Sequence, residues 1–399
     1  MKDQSLKNHL VHSSDQKLEW QPRIFNLSKA GDRAAVKKLF EKKDIKHIID
    51  DYREQQLELF QVKNPAKVYS PEFQGEFAAY WKSLSKEENF YELDHWVYFP
   101  WSSTLVHILK DEDFQLVRMA RNRNLITKEE QDKFYNAVVG LAGLSVGNSV
   151  ALALVLQGGA RYIRLADNDQ LALSNLNRIR ASVQDLGLKK VYVTARQIYT
   201  LNPYAKVDIF PDGLTQKSIS KFFAGPPKLD IMIDEIDNLA VKYLIREQAK
   251  KHKLAVVMAA DNGDNAVVDV ERYDLNPKLP FFHGRIGKTS YEKLSTLNKF
   301  GIGKTITQHI GPENVTERMQ QSLLQMGKTI VSWPQLGGAA LINGSAVAYC
   351  VRRILNGQSV ESNRALISLD EKLLPGYNSS AQIRHRTKVS NNFKKIFGL

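Results

Sequence analysis

With 399 residues, 43% hydrophobic and 25% charged, and with 23 glycines and 13 prolines, the chain has the composition of a globular protein of about two domains. Disordered, collagenous and coiled-coil architectures are excluded. A single cysteine rules out an internal disulfide framework and a thiol-based structural zinc site, so no zinc is expected and a reducing cytoplasm fits. The 56 basic against 43 acidic side chains leave a net charge of +13, a field that attracts anions: nucleotide, nucleic acid or acidic protein.

The start, residues 1–16, is polar, and no run reaches about 18 apolar residues, so neither export nor a membrane span is expected and the protein is assigned to the cytoplasm. Residues 1–115 read as a helical and irregular region, with apolar residues at helical spacing around Ile45–Tyr52 and Gln55–Phe60 and breakers at Asn64-Pro65 and Ser70-Pro71. The aromatics Phe90, Tyr91, Trp96, Tyr98, Phe99 and Trp101 follow, and packing of this region onto a larger domain is the expected use of them, ahead of a ring-stacking ligand site.

From about residue 134 short apolar runs alternate with amphipathic stretches, the βαβ pattern. Strands are expected at 136–142, 162–166, 206–210, 230–233 and 255–259, with helices at 147–157, 190–201 and 238–251. The continuous apolar run at 255–259 implies a strand covered on both faces. The fold class is therefore α/β: a Rossmann-like, doubly wound, mostly parallel sheet over 116–357, with an appended N-terminal mainly helical region and a C-terminal extension over 358–399. From Lys372 onward that extension carries six basic residues and no acid, and it reads as a solvated end rather than a nucleic-acid arm.

The first motif is the turn after strand one, where Gly140, Gly143, Ser145 and Gly147 would let backbone N–H groups approach a phosphate at a helix N-terminus. It is a degraded GxGxxG with two possible registers, starting at Gly140 or at Gly143. The second strand ends in Asp167, 20 residues after Gly147, where a doubly wound nucleotide fold places the carboxylate that meets the ribose hydroxyls. An NAD-dependent dehydrogenase fits equally well up to that point. The segment Asp167 to Arg178, containing Asp169, Ser174, Asn175 and Asn177, breaks the tie, because a dehydrogenase needs no cation there and a triphosphate does. Arg178 suits that role, and Lys190, opening the next helix, would supply a second cation. At the end of the fourth strand stand Asp234, Glu235, Asp237 and Asn238; magnesium takes one or two carboxylates plus phosphate oxygens, and Asp237 is the preferred ligand, with a helix N-cap as its alternative role.

These elements, taken in order, resemble the HesA/MoeB/ThiF adenylyltransferases, whose fold is also that of ubiquitin-activating enzymes. The resemblance spans roughly 118–357, from the Arg118-Met-Ala-Arg121 segment to the late apolar helix beginning near Trp333. It implies an enzyme that transfers AMP from MgATP to a carboxylate: the C-terminus of a ubiquitin-like or sulfur-carrier protein, a peptide or a small molecule. It further implies that Asp167 binds ribose, that Asn175, Arg178 and Lys190 address phosphates, that Asp237 holds magnesium, and that Arg121, or Arg118 or Arg123 in its place, is a phosphate contact delivered across a homodimer interface. No cysteine lies between Asp237 and Ser332, so no thioester step is expected, and Cys350, in an apolar helical stretch, reads as a core thiol. His283 reads as a satisfied loop histidine, with docking of a substrate carboxylate beside Arg285 as its alternative. Lys304 lacks the spacing of a phosphate loop. The rival readings are a catalytically silent nucleotide-binding subunit of the same fold, an NAD(P)-dependent oxidoreductase, and an enzyme acting on RNA through the basic surface.

Overall fold

The computed structural model describes residues 18–84 and 89–399; the polar start, residues 1–16, lies outside the described residues. The chain divides into two compact units, Met1–Ala120 and Arg121–Leu399.

Among the described residues the first unit contains four strands, β1 (Arg23–Phe25), β2 (His47–Asp50), β3 (His95–Phe99) and β4 (Thr104–Ile108), in the order β1-β3-β4-β2. β2 runs parallel to β4, and the other pairs are antiparallel. The helices α1 (Ala30–Glu41), α2 (Tyr52–Lys63), α3 (Phe73–Leu84) and α4 (Asp111–Arg118) agree with the helical expectation, but the sheet was not expected. Trp96 and Tyr98 pack with Phe25, Val36, Leu39 and Leu105 in this unit's own core. The buried His107 ring lies between Tyr52 (4.0 Å) and Trp96 (4.4 Å), with its nitrogens meeting Asp50 and the Leu93 carbonyl. The ring stacking in this stretch is thus supplied by the protein itself.

The second unit opens with α5 (Lys128–Asn136), started by a capping box in which the Thr127 side chain and Glu130 exchange hydrogen bonds. There follow β5 (Val138–Ala142), α6 (Val146–Leu156), β6 (Tyr162–Ala166), α7 (Lys190–Leu201), β7 (Lys206–Phe210), α8 (Ile219–Ala224), β8 (Ile231–Asp234), α9 (Leu239–His252) and β9 (Ala255–Asn262). The expected strands and helices are all present, with ends shifted by at most three residues. β9 continues through the two-residue turn Gly263-Asp264 into an antiparallel β10 (Asn265–Arg272), a hairpin that was not expected. Then come α10 (Tyr291–Ser295), α11 (Lys299–Ile310), α12 (Glu317–Gln325), α13 (Gly337–Leu355), β11 (Arg364–Ile367), α14 (Leu369–Leu373) and α15 (Ser380–Phe397).

The sheet order is β11-β10-β9-β8-β5-β6-β7, and the five strands β5 to β9 are parallel. From β5 the chain winds outward to β6 and β7, then returns to place β8 on the other side of β5. That reversal makes the carboxyl ends of β5 and β8 the switch point where open α/β sheets bind ligands. α13 packs against α6, and Gly344 makes the approach possible: a Cβ there would lie 2.7 Å from the Ser149 backbone. The C-terminal extension is not a solvated tail. β11 adds to the sheet edge, and Phe393 and Phe397 of α15 are buried with Ile310, Met319 and Leu323.

Candidate active site

A cavity of about 390 Å³ lies at the carboxyl ends of β5 to β8. Each strand contributes the turn that follows it: Gly143 and Ser145 after β5, Asp167 and Asp169 after β6, the segment from Asp212 to Thr215 after β7, and Glu235, Asp237 and Asn238 after β8, with Lys190 from the start of α7.

Of the two glycine registers, the one starting at Gly143 faces the cavity. Gly140 is a packing glycine, since a Cβ there would lie 2.5 Å from Leu229 Cδ1. Gly143 has φ +89°, and a Cβ on it would lie 2.3 Å from the Glu235 carbonyl oxygen, so the turn can seat on the end of β8 only as glycine. Gly147 is buried in the first turn of α6 and is not part of the cavity wall; its added Cβ would make ordinary contacts at 3.4 Å. Gly143→Ala is therefore expected to cost about 1–3 kcal/mol of stability, whereas Gly147→Ala should stay within about 1 kcal/mol. Equal denaturation midpoints for the two variants would overturn this distinction.

Asp167 joins two turns. One carboxylate oxygen accepts from Leu144 N at 2.7 Å and the other from Asp169 N at 2.8 Å. Each oxygen retains acceptor capacity toward the cavity. Burial pushes this carboxyl up, and the Lys190 charge opposes the rise. The buried Lys190 donates to Asp169 at 2.7 Å, so the cation is fixed on the wall rather than waving in solvent.

Arg178 does not line the cavity itself but reaches its rim. It donates through Nε to the Ser145 hydroxyl at 2.9 Å, and through the guanidinium to the Ser174 carbonyl and to Asn177 Oδ1. Burial pushes the guanidinium below its ordinary value, and the Asp261 and Asp237 carboxylates oppose that. Ser174, Asn175 and Asn177 are off the cavity wall. They build the turn that carries Arg178, with Asn175 Oδ1 accepting from Ala172 N and Asn177 Nδ2 donating to the Gln335 carbonyl. Arg121 is exposed in the turn Ala120–Asn122 and also lies outside the wall.

The three acids at the end of β8 and just beyond it part company. Asp234 is fully buried in an ion network with Lys242 and Arg246. Glu235 accepts from Ala259 N at 2.9 Å, and burial pushes its carboxyl well up against the pull of Lys242. The N-cap of α9 is Asn238, whose side chain accepts from Ala240 N and Val241 N. Asn238 thus has a structural duty besides lining the cavity, while Asp237 is exposed at the mouth and makes no hydrogen bond through its carboxylate among the described residues. The cavity walls nevertheless crowd Asp237 and push its pKa up, opposed by Lys242, Lys190 and Arg178.

No group of three or more His, Cys, Asp or Glu side chains gathers to hold a metal among the described residues. Magnesium held by one carboxylate and phosphate oxygens needs no such group, so Asp237 beside the fixed cations Lys190 and Arg178 fits a metal–phosphate pair.

Sequence reasoning missed Asn168 and the segment Asp212 to Thr215, which form the β6–β7 wall. The Pro211-Asp212-Gly213 turn at the end of a parallel strand was the available signal. His283 and Arg285 lie elsewhere, on the buried Asp269 with His309. Burial works to raise the Asp269 carboxyl, but the two neighbouring histidines and the Arg285 charge hold it well below its ordinary value. Cys350 sits on a separate apolar groove of about 660 Å³ between α13 and the β10–β11 edge, and burial pushes its thiol up, against Arg353. No helix of the described residues is long and apolar enough to cross a membrane.

A switch-point cavity walled by a glycine turn, a strand-end acid and Lys190, with Arg178 at its rim, defines a Rossmann-type α/β domain. Residues 119–300 match the sequence model of the ThiF family. An uncharacterized protein of Mycobacterium tuberculosis is 38% identical over 282 residues, covering 71% of this chain and 39% of that protein. The probable molybdopterin-synthase adenylyltransferase of Porphyra purpurea is 27% identical over 196 residues, covering 49% of this chain and 50% of that protein. The tRNA threonylcarbamoyladenosine dehydratase 2 of Saccharomyces cerevisiae is 31% identical over 151 residues, covering 36% of this chain and 33% of that protein. The chain spans at most half the length of these relatives.

Proposed function

We propose that the second unit binds MgATP in the switch-point cavity and transfers AMP to a carboxylate. The observation that carries this reading is the convergence of Asp167, Lys190, Arg178 and Asp237 on one cavity at the carboxyl ends of β5 to β8. Gly143 N and Leu144 N are taken by the Ala166 carbonyl and by Asp167, so the Ser145 N–H and the N-terminus of α6 are the backbone donors that favour phosphate, and Asp167 offers acceptors to ribose hydroxyls. Lys190 and Arg178 are preorganised toward charge that develops on the α-phosphate and on departing pyrophosphate. Magnesium held by Asp237 would neutralise phosphate charge and orient the leaving group. The reaction is in-line attack by the acceptor carboxylate, so the protein supplies position and charge rather than a nucleophile. That accords with a sole cysteine placed on the separate groove, and with no thioester step.

The acceptor is the C-terminus of a ubiquitin-like or sulfur-carrier protein, or a peptide or small-molecule carboxylate. The name of the Porphyra relative supports AMP transfer to a protein. The name of the yeast relative supports a second reading, in which the adenylated group sits on a tRNA. A homodimer that brings Arg121 of one copy to the cavity of the other belongs to the same proposal.

The test is ATP–pyrophosphate exchange with magnesium, run with and without a desalted cell extract as acceptor source. Exchange that depends on the extract is expected, and ribonuclease treatment of the extract separates RNA from protein acceptors. Arg178→Ala should slow exchange on the order of 10²–10³-fold with ATP affinity changed by less than about threefold. No exchange under either condition, alongside calorimetric binding of ATP, would replace this reading with a catalytically silent subunit.

A further inference from the structure

A second carboxylate stands behind Arg178. Asp261, near the end of β9, is 5% exposed, and its two oxygens accept from Gln335 Nε2 at 3.0 Å and Asn343 Nδ2 at 2.6 Å. Both donors are neutral amides, so no cation is hydrogen-bonded to this buried charge. Burying a carboxylate in that way is costly, and an amide or apolar side chain would join β9 to α13 at lower cost. Its charge does act on Arg178, where it opposes the loss of charge that burial favours.

The amides lead to the same arginine. The Gln335 carbonyl accepts from Asn177 Nδ2 at 2.8 Å, Asn177 Oδ1 accepts from Arg178 at 2.9 Å, and Arg178 donates to Ser145 on the cavity wall. The segment that carries Gln335 is seated on this turn by Gly337, where a Cβ would lie 2.4 Å from the Asn177 carbonyl oxygen. One continuous chain of contacts therefore runs from Asp261 through Gln335 and Asn177 to Arg178.

We propose that Asp261 is a positioning residue: through Gln335 and Asn177, and through its charge, it holds the Arg178 guanidinium at the rim of the nucleotide cavity. This rests on the AMP-transfer reading for its catalytic consequence, though not for its geometry. Arg178, Asp237 and Glu235 are the charged groups that feel Asp261, with Gln335 and Asn343 as its neutral partners. Burial pushes the Asp261 carboxyl up to about 6, with the two amides and Arg178 opposing and Asp237 reinforcing. Protonation below that value would remove the charge that steadies Arg178.

The test compares Asp261→Asn and Gln335→Ala with the parent in ATP–pyrophosphate exchange, with the same extract as acceptor source. Each variant should lower kcat about tenfold while KM for ATP moves less than about twofold. The double variant should be no worse than Asp261→Asn alone, because the two side chains act along one chain. The parent rate should fall as pH drops through about 6, and Asp261→Asn should lack that limb, whereas Asp261→Glu should restore it. Unchanged kcat, a raised KM at unchanged kcat, or losses that multiply in the double variant would each overturn the assignment. A readout independent of catalysis is phenylglyoxal modification of Arg178, followed by peptide mass spectrometry. The reaction should run about threefold faster or more in both variants as the guanidinium loosens, and equal rates would overturn the positioning role even if the parent shows no exchange. Absent exchange with accelerated modification would instead reject the AMP-transfer reading and leave the positioning role standing.

Discussion

Asp237→Ala is expected to abolish magnesium-dependent AMP transfer, with a loss on the order of 10³-fold, while the thermal midpoint moves by less than about 2 °C. The two halves of this expectation come from different observations. The carboxylate lines the cavity and reaches solvent, so its removal leaves no void and no stranded partner. The capping duty at this junction belongs to Asn238, which keeps its bonds to Ala240 N and Val241 N in the variant. The expected loss of activity follows from charge: the other acid after β8 at the cavity, Glu235, is engaged by Ala259 N and pushed well up by burial, which leaves Asp237 to draw the metal toward the phosphates proposed for Lys190 and Arg178. Asp237→Asn should be nearly as inactive, since an amide oxygen carries no charge to offset a divalent cation. Magnesium needs the ionised form, and the crowded walls push this carboxyl up, so metal affinity should weaken as pH falls. The paired measurements are exchange rate and thermal midpoint. Retained turnover would refute the metal role, and a large fall in midpoint would make Asp237 a structural residue.

The parallel half of the sheet was legible because its signal is local. Runs such as 231–233 and 255–259 are apolar without alternation, and amphipathic helices separate them, so strand ends and the turns that carry Asp167 and Asp237 could be placed from sequence. What escaped depends on contacts between distant residues or on weak periodicity. β2 is four residues long and exposed throughout, and β3 is buried at four consecutive positions, so neither shows the alternation that marks a half-buried strand. The tail misled through its charge. Six basic residues suggested a solvated end, yet Phe393 and Phe397, four apart on one face of α15, carry the burial. Within the site, the acids of 234–237 were recognised as a group, but their separate roles depended on what faces them. Asp234 goes to the core because Lys242 and Arg246, also four apart, point back from α9. Asp261 could not have been found at all from its neighbours in the chain, since its partners come 74 and 82 residues later.

Asp234→Ala should be the most destabilising single change near the site, by about 3–5 kcal/mol, or a midpoint lowered by about 10 °C. Asp234 is fully buried and accepts from Arg246 and from Lys242, which lies 3.2 Å away. Arg246 also meets Glu271 at 2.8 Å and stacks over the Phe282 ring at 4.2 Å, while Glu271 accepts from Tyr273 and from Phe282 N. In the variant Arg246 would keep Glu271, but Lys242 would lose its ion-pair carboxylate and keep only the main-chain carbonyl of residue 234 and the nearby Glu235. The pH dependence has a definite sign. Burial works to raise the Asp234 carboxyl, but Lys242 and Arg246 outweigh it and hold the pKa below its ordinary value. A depressed carboxylate contributes stability above its unfolded-state pKa and loses it as pH falls through the folded-state value. The gap between parent and Asp234→Asn should therefore be complete at neutral pH and close only below the ordinary carboxylate range. Removing a cation with its anion separates charge balance from packing: Asp234→Leu with Lys242→Met should recover part of the loss, because an apolar replacement of a buried pair avoids the stranded charge. If the double variant were less stable than Asp234→Ala, the network would be acting through shape at the β8 terminus rather than through compensation of charge. Asp237 and the metal position would then depend on the geometry of Asp234 itself.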